Sequence, residues 1–156
     1  MFSGILPDTF PKEEPVSSAS QPLTTLEQNK MLVHRWFEEV WNQSRRETIF
    51  ELIAPNSVLH DGARDIRGPQ EFAEFHDVLR SQFSDFHFTP LVTLAEDDRV
   101  CLHWSCSMTH TATHKPLRIT GTSVVHVENG RFVEAWQNWD AAHLYTQLTG
   151  QATLAL

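Results

Sequence analysis

Residues 117–139 read LRITGTSVVHVENGRFVEAWQNW, two runs of β-branched and aromatic residues divided by Asn129-Gly130. An Asn-Gly pair between such runs is the strongest short-range hairpin signal, because a two-residue turn needs positive φ at both central positions. Counting outward from the turn pairs Phe132 with Val127, Glu134 with Val125, Trp136 with Ser123 and Asn138 with Gly121, and sets Asp140 opposite Ile119. Side chains alternate along a strand, so Phe132, Glu134, Trp136, Asn138 and Asp140 are expected on one sheet face together with Ser123. Apolar bulk with a few fixed polar groups is how small-molecule sites are lined.

Upstream of the hairpin, Phe86–Ala95 and Val100–His110 read as two further strands joined by a turn at residues 96–99. The second alternates cleanly, with Val100, Leu102, Trp104, Cys106 and Met108 on one face and Cys101, His103, Ser105 and Ser107 on the other. Before residue 86 the apolar period is helical. Thr25 and Gln28 have capping-box spacing ahead of Met31, Leu32, Val33, Trp36, Phe37, Val40 and Trp41, which mark a long amphipathic helix. Ser44 with Glu47 has the same spacing before a short helix that Pro55 closes. A short strand is expected at Ser57–Asp61. Gly68-Pro69 then opens a third helix, proline being tolerated at the first helical position. A short helix, Ala141–Leu148, follows the last strand and stops at Gly150. Helices first, then a meander, then a helical tail imply an α+β domain with helices packed on one sheet face.

Residues 1–24 carry Pro7, Pro11, Pro15 and Pro22 among Ser, Thr and Glu and read as a disordered or loosely docked arm. The domain spans 25–150, and 151–156 form a tail. Twenty acidic against 12 basic residues give a net charge of −8, which argues against nucleic acid as a partner, since phosphate binding needs a positive stripe. No apolar run is long enough for a membrane span. The start has no basic region before its apolar residues and is not a secretory signal. Cys101 and Cys106 fall on opposite strand faces and are not expected to pair, which fits a reducing cytoplasm. No helical His-Glu-x-x-His and no cysteine pair supports a metal site, and none is expected.

The segment Gly121–Gly150, GTSVVHVENGRFVEAWQNWDAAHLYTQLTG, resembles the closing segment of the SnoaL-like polyketide cyclases, within the superfamily of nuclear transport factor 2-like folds. The matching positions are Gly130-Arg131, Glu134, Trp136, Asp140, Gln147 and Leu148. Trp41-Asn42, His60-Asp61, Ile66-Arg67-Gly68, Asp98-Arg99-Val100 and Thr109-His110-Thr111 agree in order and spacing over about residues 25–150. One departure is the short loop Ala112–Pro116, where family members often carry a longer Gly- and Pro-rich one. The resemblance implies a cone-shaped α+β fold, in which a curved, mixed or antiparallel sheet wraps the N-terminal helices and encloses one pocket. It also implies a homodimer, a small hydrophobic molecule as ligand, and proton abstraction next to a carbonyl by an acidic residue without a cofactor.

Asp140 is the candidate base. A carboxylate stripped of water in an apolar cavity is a readier proton acceptor. It also directly precedes a helix, and as an N-cap it would accept backbone N–H bonds and serve structure instead. Asn138, two residues earlier, could donate a hydrogen bond to a developing oxyanion. His110 ends the apolar strand face and could exchange protons, or serve as a rim residue. Trp136, Trp104, Glu134, Ser123, His60 and Met108 are the candidate substrate-binding residues, with a structural pairing open for Glu134 and His60. A serine nucleophile is not supported, because Gly121-Thr122-Ser123-Val124 lacks the glycine an elbow needs. The functions expected are an acid–base cyclase, isomerase or lyase on a carbonyl compound, a non-catalytic binder of a hydrophobic ligand, or a hydrolase or dehydratase on the same scaffold.

Overall fold

The computed structural model describes residues 23–62 and 64–151, so the expected arm and tail lie almost wholly outside the described residues. Helix α1 (Thr25–Trp36) continues into a π-helical segment, Phe37–Asn42, followed by α2 (Glu47–Leu52), β1 (Ile53–Asp61), β2 (Arg64–Arg67), α3 (Gly68–Gln82), β3 (Phe83–Glu96), β4 (Arg99–His110), β5 (Lys115–Glu128), β6 (Arg131–Trp139) and α4 (Ala141–Thr149). The six strands form one curved, unclosed sheet in the order β2-β1-β6-β5-β4-β3. Only β1 and β6 run parallel. This is the α+β architecture the sequence implies, with the short edge strand β2 in addition. Among the described residues, no helix is long and apolar enough to cross a membrane.

The capping box sits one residue earlier than expected. Thr24 caps α1 by accepting from Glu27 N, and Glu27 reaches back to the Thr24 backbone. Two adjacent threonines offer the same chemistry, and the spacing rule alone cannot choose between them. The second expected box does not form: Ser44 takes a positive φ of 60°, and α2 starts at Glu47 with Arg46 as an N-cap that makes no side-chain hydrogen bond. Gly68 opens α3 as expected, for a reason the sequence does not show. Its φ is +68°, and a Cβ there would lie 2.8 Å from the Pro55 carbonyl oxygen.

Val33, Trp36, Phe37, Val40 and Trp41 put the buried stripe of the first helix against the sheet. The π-helical turn is held from both sides. His76 Nε2 on α3 donates to the Val40 carbonyl at 3.1 Å, and Arg80 donates to the Trp41 carbonyl at 2.9 Å. Burial holds the His76 imidazole below the usual histidine range. On the sheet side, the Asn42 amide donates to the Phe88 carbonyl at 3.1 Å and accepts from the Phe88 N–H at 2.7 Å. Edge strand β3 thus finds its missing partner in a helix side chain. Each such bond is worth about 1 kcal/mol net.

Candidate functional site

Between the first helix, α3 and the sheet lies a hollow in two adjoining lobes that share Phe37, Trp41, Phe75 and Gln137. The first lobe is closed by Trp36, Phe72, Phe132, Ser57, Ser123 and Glu134. The second is closed by Phe83, Phe86, Phe88, Trp104, Met108, Ile119, Trp139 and Leu144, with Asp61 and Arg64 at one side. Their cavity volumes are about 50 and 90 Å³, against the ~10–15 Å³ that one water needs. Edge-on aromatic contacts brace the wall, with Trp36 4.9 Å from Phe72 and 5.6 Å from Phe132 between ring centroids. The Cys106 thiol also lines the second lobe, and burial pushes its pKa up to about 12, so it is a neutral wall group and not a nucleophile.

Which β6 side chains reach this hollow is decided by one extra residue. Near the turn the expected register holds, Val127 opposite Phe132. The next pair is His126 with Glu134, which leaves Val133 unpaired in a β-bulge. Every later residue therefore changes partner, so that Ala135 faces Val125, Gln137 faces Ser123 and Trp139 faces Gly121. A one-residue slip turns a strand's side chains over. Glu134, Trp136 and Asn138 pair with His126, Val124 and Thr122; Trp136 and Asn138 line neither lobe, and Glu134 alone of the three reaches the edge of the first.

Asp140 lines neither lobe. It is exposed, and its Oδ1 accepts from His143 N at 2.8 Å as the N-cap of α4. This corrects the expectation that it faces inward. The N-cap alternative is the one its geometry matches. Asn138 is exposed on the outer face and borders neither lobe. His110 also lies off both lobes, with its Nδ1 2.8 Å from the Thr113 hydroxyl and its ring against Phe83. Trp136 stacks on His60, centroids 5.5 Å apart, and neither touches the hollow. His60 instead bridges Glu134 at 2.9 Å and Asp65 at 2.8 Å. Those two hydrogen bonds, Glu134 first, raise the imidazole above the usual histidine range. Glu134 thus has a structural partner while also edging the first lobe. Of the expected binding residues, Trp104 and Met108 line the second lobe and Ser123 the first, as the strand alternation predicts.

Two inward polar residues, Asp61 and Gln137, and Arg64 at the solvent edge border the hollow beyond those the sequence singles out. Asp61 ends β1 with its side chain only 7% exposed; its Oδ1 accepts from the Trp139 indole N–H at 3.1 Å and its Oδ2 from Arg64 at 3.3 Å. Gln137 lies beside it on β6, the two residues being register partners. The Trp104 indole N–H donates to Ser123 Oγ at 3.0 Å, and that hydroxyl donates to Gln137 Oε1 at 3.3 Å. Gln137 borders both lobes, and with its oxygen engaged by Ser123 its amide NH₂ is the group left to donate. Arg64 completes the group, its guanidinium 4.4 Å above the Phe75 ring. The sequence held one signal for this set. His60-Asp61 stands in a strand, and alternation requires one of the two to face inward.

An ionised carboxylate has about four lone-pair sites, and Asp61 uses two. It can still accept a proton from a molecule in the second lobe, beside an amide able to hydrogen-bond a carbonyl oxygen. A buried carboxylate next to a fixed donor in an apolar hollow suits proton transfer at carbon and equally suits the orienting of a bound ligand.

Comparison with known proteins agrees with this architecture. A SnoaL-like protein from Jannaschia sp. CCS1 superposes with a TM-score of 0.75 at 16% identity, over 84% of this chain and 99% of that one. A protein from Acidithiobacillus ferrooxidans assigned as a polyketide cyclase gives 0.72 at 26% identity, over 84% and 100%. An LEH-like epoxide hydrolase from M. tuberculosis gives 0.68 at 14% identity, over 80% and 92%. A comparison with curated proteins found no match. The family model of the SnoaL-like polyketide cyclases spans residues 31–148. That span holds both lobes, the bulged strand and the capped terminal helix, and the chain belongs to the SnoaL-like polyketide cyclase family.

Proposed function

We propose that the chain is an acid–base enzyme acting on a small hydrophobic carbonyl compound, with Asp61 in place of Asp140 as the proton acceptor. Asp61 would remove the proton next to the carbonyl, and the Gln137 amide would hydrogen-bond the carbonyl oxygen as negative charge develops there. The enolate then either takes the proton back at another carbon, an isomerisation, or attacks a second carbonyl of the same molecule, an aldol cyclisation. In the isomerisation the carboxyl group returns the proton to carbon, and in the aldol it delivers the proton to the alkoxide formed from the second carbonyl, so neither route needs a cofactor. The observation that carries this reading is that Asp61 is the one buried carboxylate on the wall of the hollow among the described residues.

The test is exchange of the α-protons of small cyclic ketones in D₂O, followed by NMR. Wild-type protein is expected to speed exchange, and Asp61→Asn to lower that rate by about 10²–10⁴-fold, the usual worth of a positioned general base. Equal rates in the two, or a loss confined to Asp140→Asn, overturn the assignment. A second reading, a non-catalytic binding domain, is favoured by the two donors already on Asp61, which hold it as a wall element. Ligands that bind without any exchange by the wild-type protein decide for it. A homodimer and a cytoplasmic location belong to the same proposal. The exposed Val92 and Leu94 support the first and the free thiols of Cys101 and Cys106 the second. A monomer mass in light scattering overturns the dimer.

A further inference from the structure

Of the residues that line the two lobes, Arg64 is the only cation among those described. It opens β2 three residues after Asp61, across a turn at Gly62 whose φ of +62° folds the chain back so that the two side chains meet. Its side chain is 58% exposed, against 7% for Asp61, so it stands where the second lobe meets solvent. Two contacts hold it there, the 3.3 Å bond from its Nη2 to Asp61 Oδ2 and its seat over the Phe75 ring. The bond to Asp61 engages one of the five N–H donors of a guanidinium and leaves others to serve a second acceptor.

We propose that Arg64 is the counter-ion of the anionic intermediate, exchanging Asp61 for the substrate oxygen as the proton is transferred. The inference rests on the acid–base reading above. When the C–H bond next to the carbonyl breaks, its proton forms an O–H bond on Asp61, and the electron pair moves through the new C=C bond onto the carbonyl oxygen. Asp61 is then neutral and has lost its hold on Arg64, while an oxyanion has appeared in the same lobe. A short swing of the guanidinium over Phe75 pairs it with that oxyanion. The lobe therefore contains one cation and one anion before and after the step, and no unpaired charge is left in an apolar space, where it would be costly. Gln137 supplies a neutral hydrogen bond, and Arg64 supplies the compensating charge.

The experiment replaces the intermediate by 4-nitrophenol, whose phenolate is a stable oxyanion with its own visible absorbance, and replaces protonated Asp61 by Asp61→Asn. The full chain is titrated with the phenol bound, and the pKa of the bound phenol is read from the absorbance. In Asp61→Asn the bound phenol is expected to ionise about one pH unit lower than in Asp61→Asn/Arg64→Gln, as an opposite charge within contact range dictates. Asp61→Asn/Arg64→Lys is expected to keep at least half of that shift. A merely structural Arg64 would change the melting temperature of these variants and leave the phenol titration alone. Equal titrations of Asp61→Asn with and without the Arg64→Gln substitution, both proteins melting cooperatively, overturn the counter-ion role and leave the acid–base reading to its own test. Failure of 4-nitrophenol to bind any variant overturns the reading of the hollow as a small-molecule site, and this role with it.

Discussion

Gly121→Ala tests how tightly the wall of the hollow is built. Gly121 lies on β5 between Trp104 of β4 and Trp139 of β6, and the Trp104 indole lies across it. A Cβ at this position would stand 2.3 and 2.6 Å from two carbons of that ring and 2.8 Å from the Asn138 carbonyl oxygen. Carbon atoms rest at about 3.5–4.0 Å, so the ring would have to retreat by more than an ångström. It has little room. Trp104 is 1% exposed, its ring centroid is 5.0 Å from that of Phe88, and its N–H is tied to Ser123. The other obstacle is backbone. Overpacking of this kind costs roughly 1–3 kcal/mol, and two rigid neighbours place it near 3. Losing the glycine's extra chain freedom returns about 0.5–1 kcal/mol. A net loss of about 2 kcal/mol is expected. In urea unfolding, with a slope of about 1–3 kcal/mol/M, that lowers the midpoint by roughly 1 M at unchanged slope. An alanine variant whose midpoint equals or exceeds that of the wild type would refute the reasoning, since the ring would then have space that the packing denies it.

Two further outcomes separate structural roles from chemical ones. Asp140→Ala is expected to cost about 1 kcal/mol and to speed hydrogen exchange in α4, because it removes the acceptor for His143 N–H. Asp140→Asn should retain most of that stability, and a loss as large as alanine's would contradict the capping role. Glu134→Gln should bring the His60 titration, followed by imidazole NMR, back toward the ordinary value. Because Glu134 and Asp65 raise His60 in the folded protein, their contribution to stability is full below about pH 6.5 and is lost as pH rises through the elevated value. The variant should therefore lose more stability at pH 6 than at pH 9, and an equal loss at both would show that the charged imidazole contributes nothing.

Much of the scaffold was legible because its signals are local. Asn129 and Gly130 take φ of 50° and 73°, Gly150 ends α4 at φ 75°, and Pro69 sits in the first turn of α3. Each is a demand of the backbone at the residue that meets it. The inward face of β4 was equally plain, because a strand buried on one side must alternate. The face of β6 was not. Alternation did predict that Glu134, Trp136 and Asn138 travel together, but the side they take depends on Val133 being skipped, and nothing at Val133 announces a bulge. β6 must pair antiparallel with β5 and parallel with β1 at once, and the partners that bring Asp61 beside Gln137 lie far apart in sequence. The bulge satisfies both ladders. A count from the hairpin turn sees only one of them. The same skipped residue leaves Asp140 outside the hollow and brings in Gln137 and Trp139, whose indole then secures Asp61. One event in one strand thus exchanged Trp136 for Trp139 and Asn138 for Gln137 on the inner face, whereas Trp104 and Met108 of β4, whose ladder with β5 has no such skip, line the hollow as alternation requires.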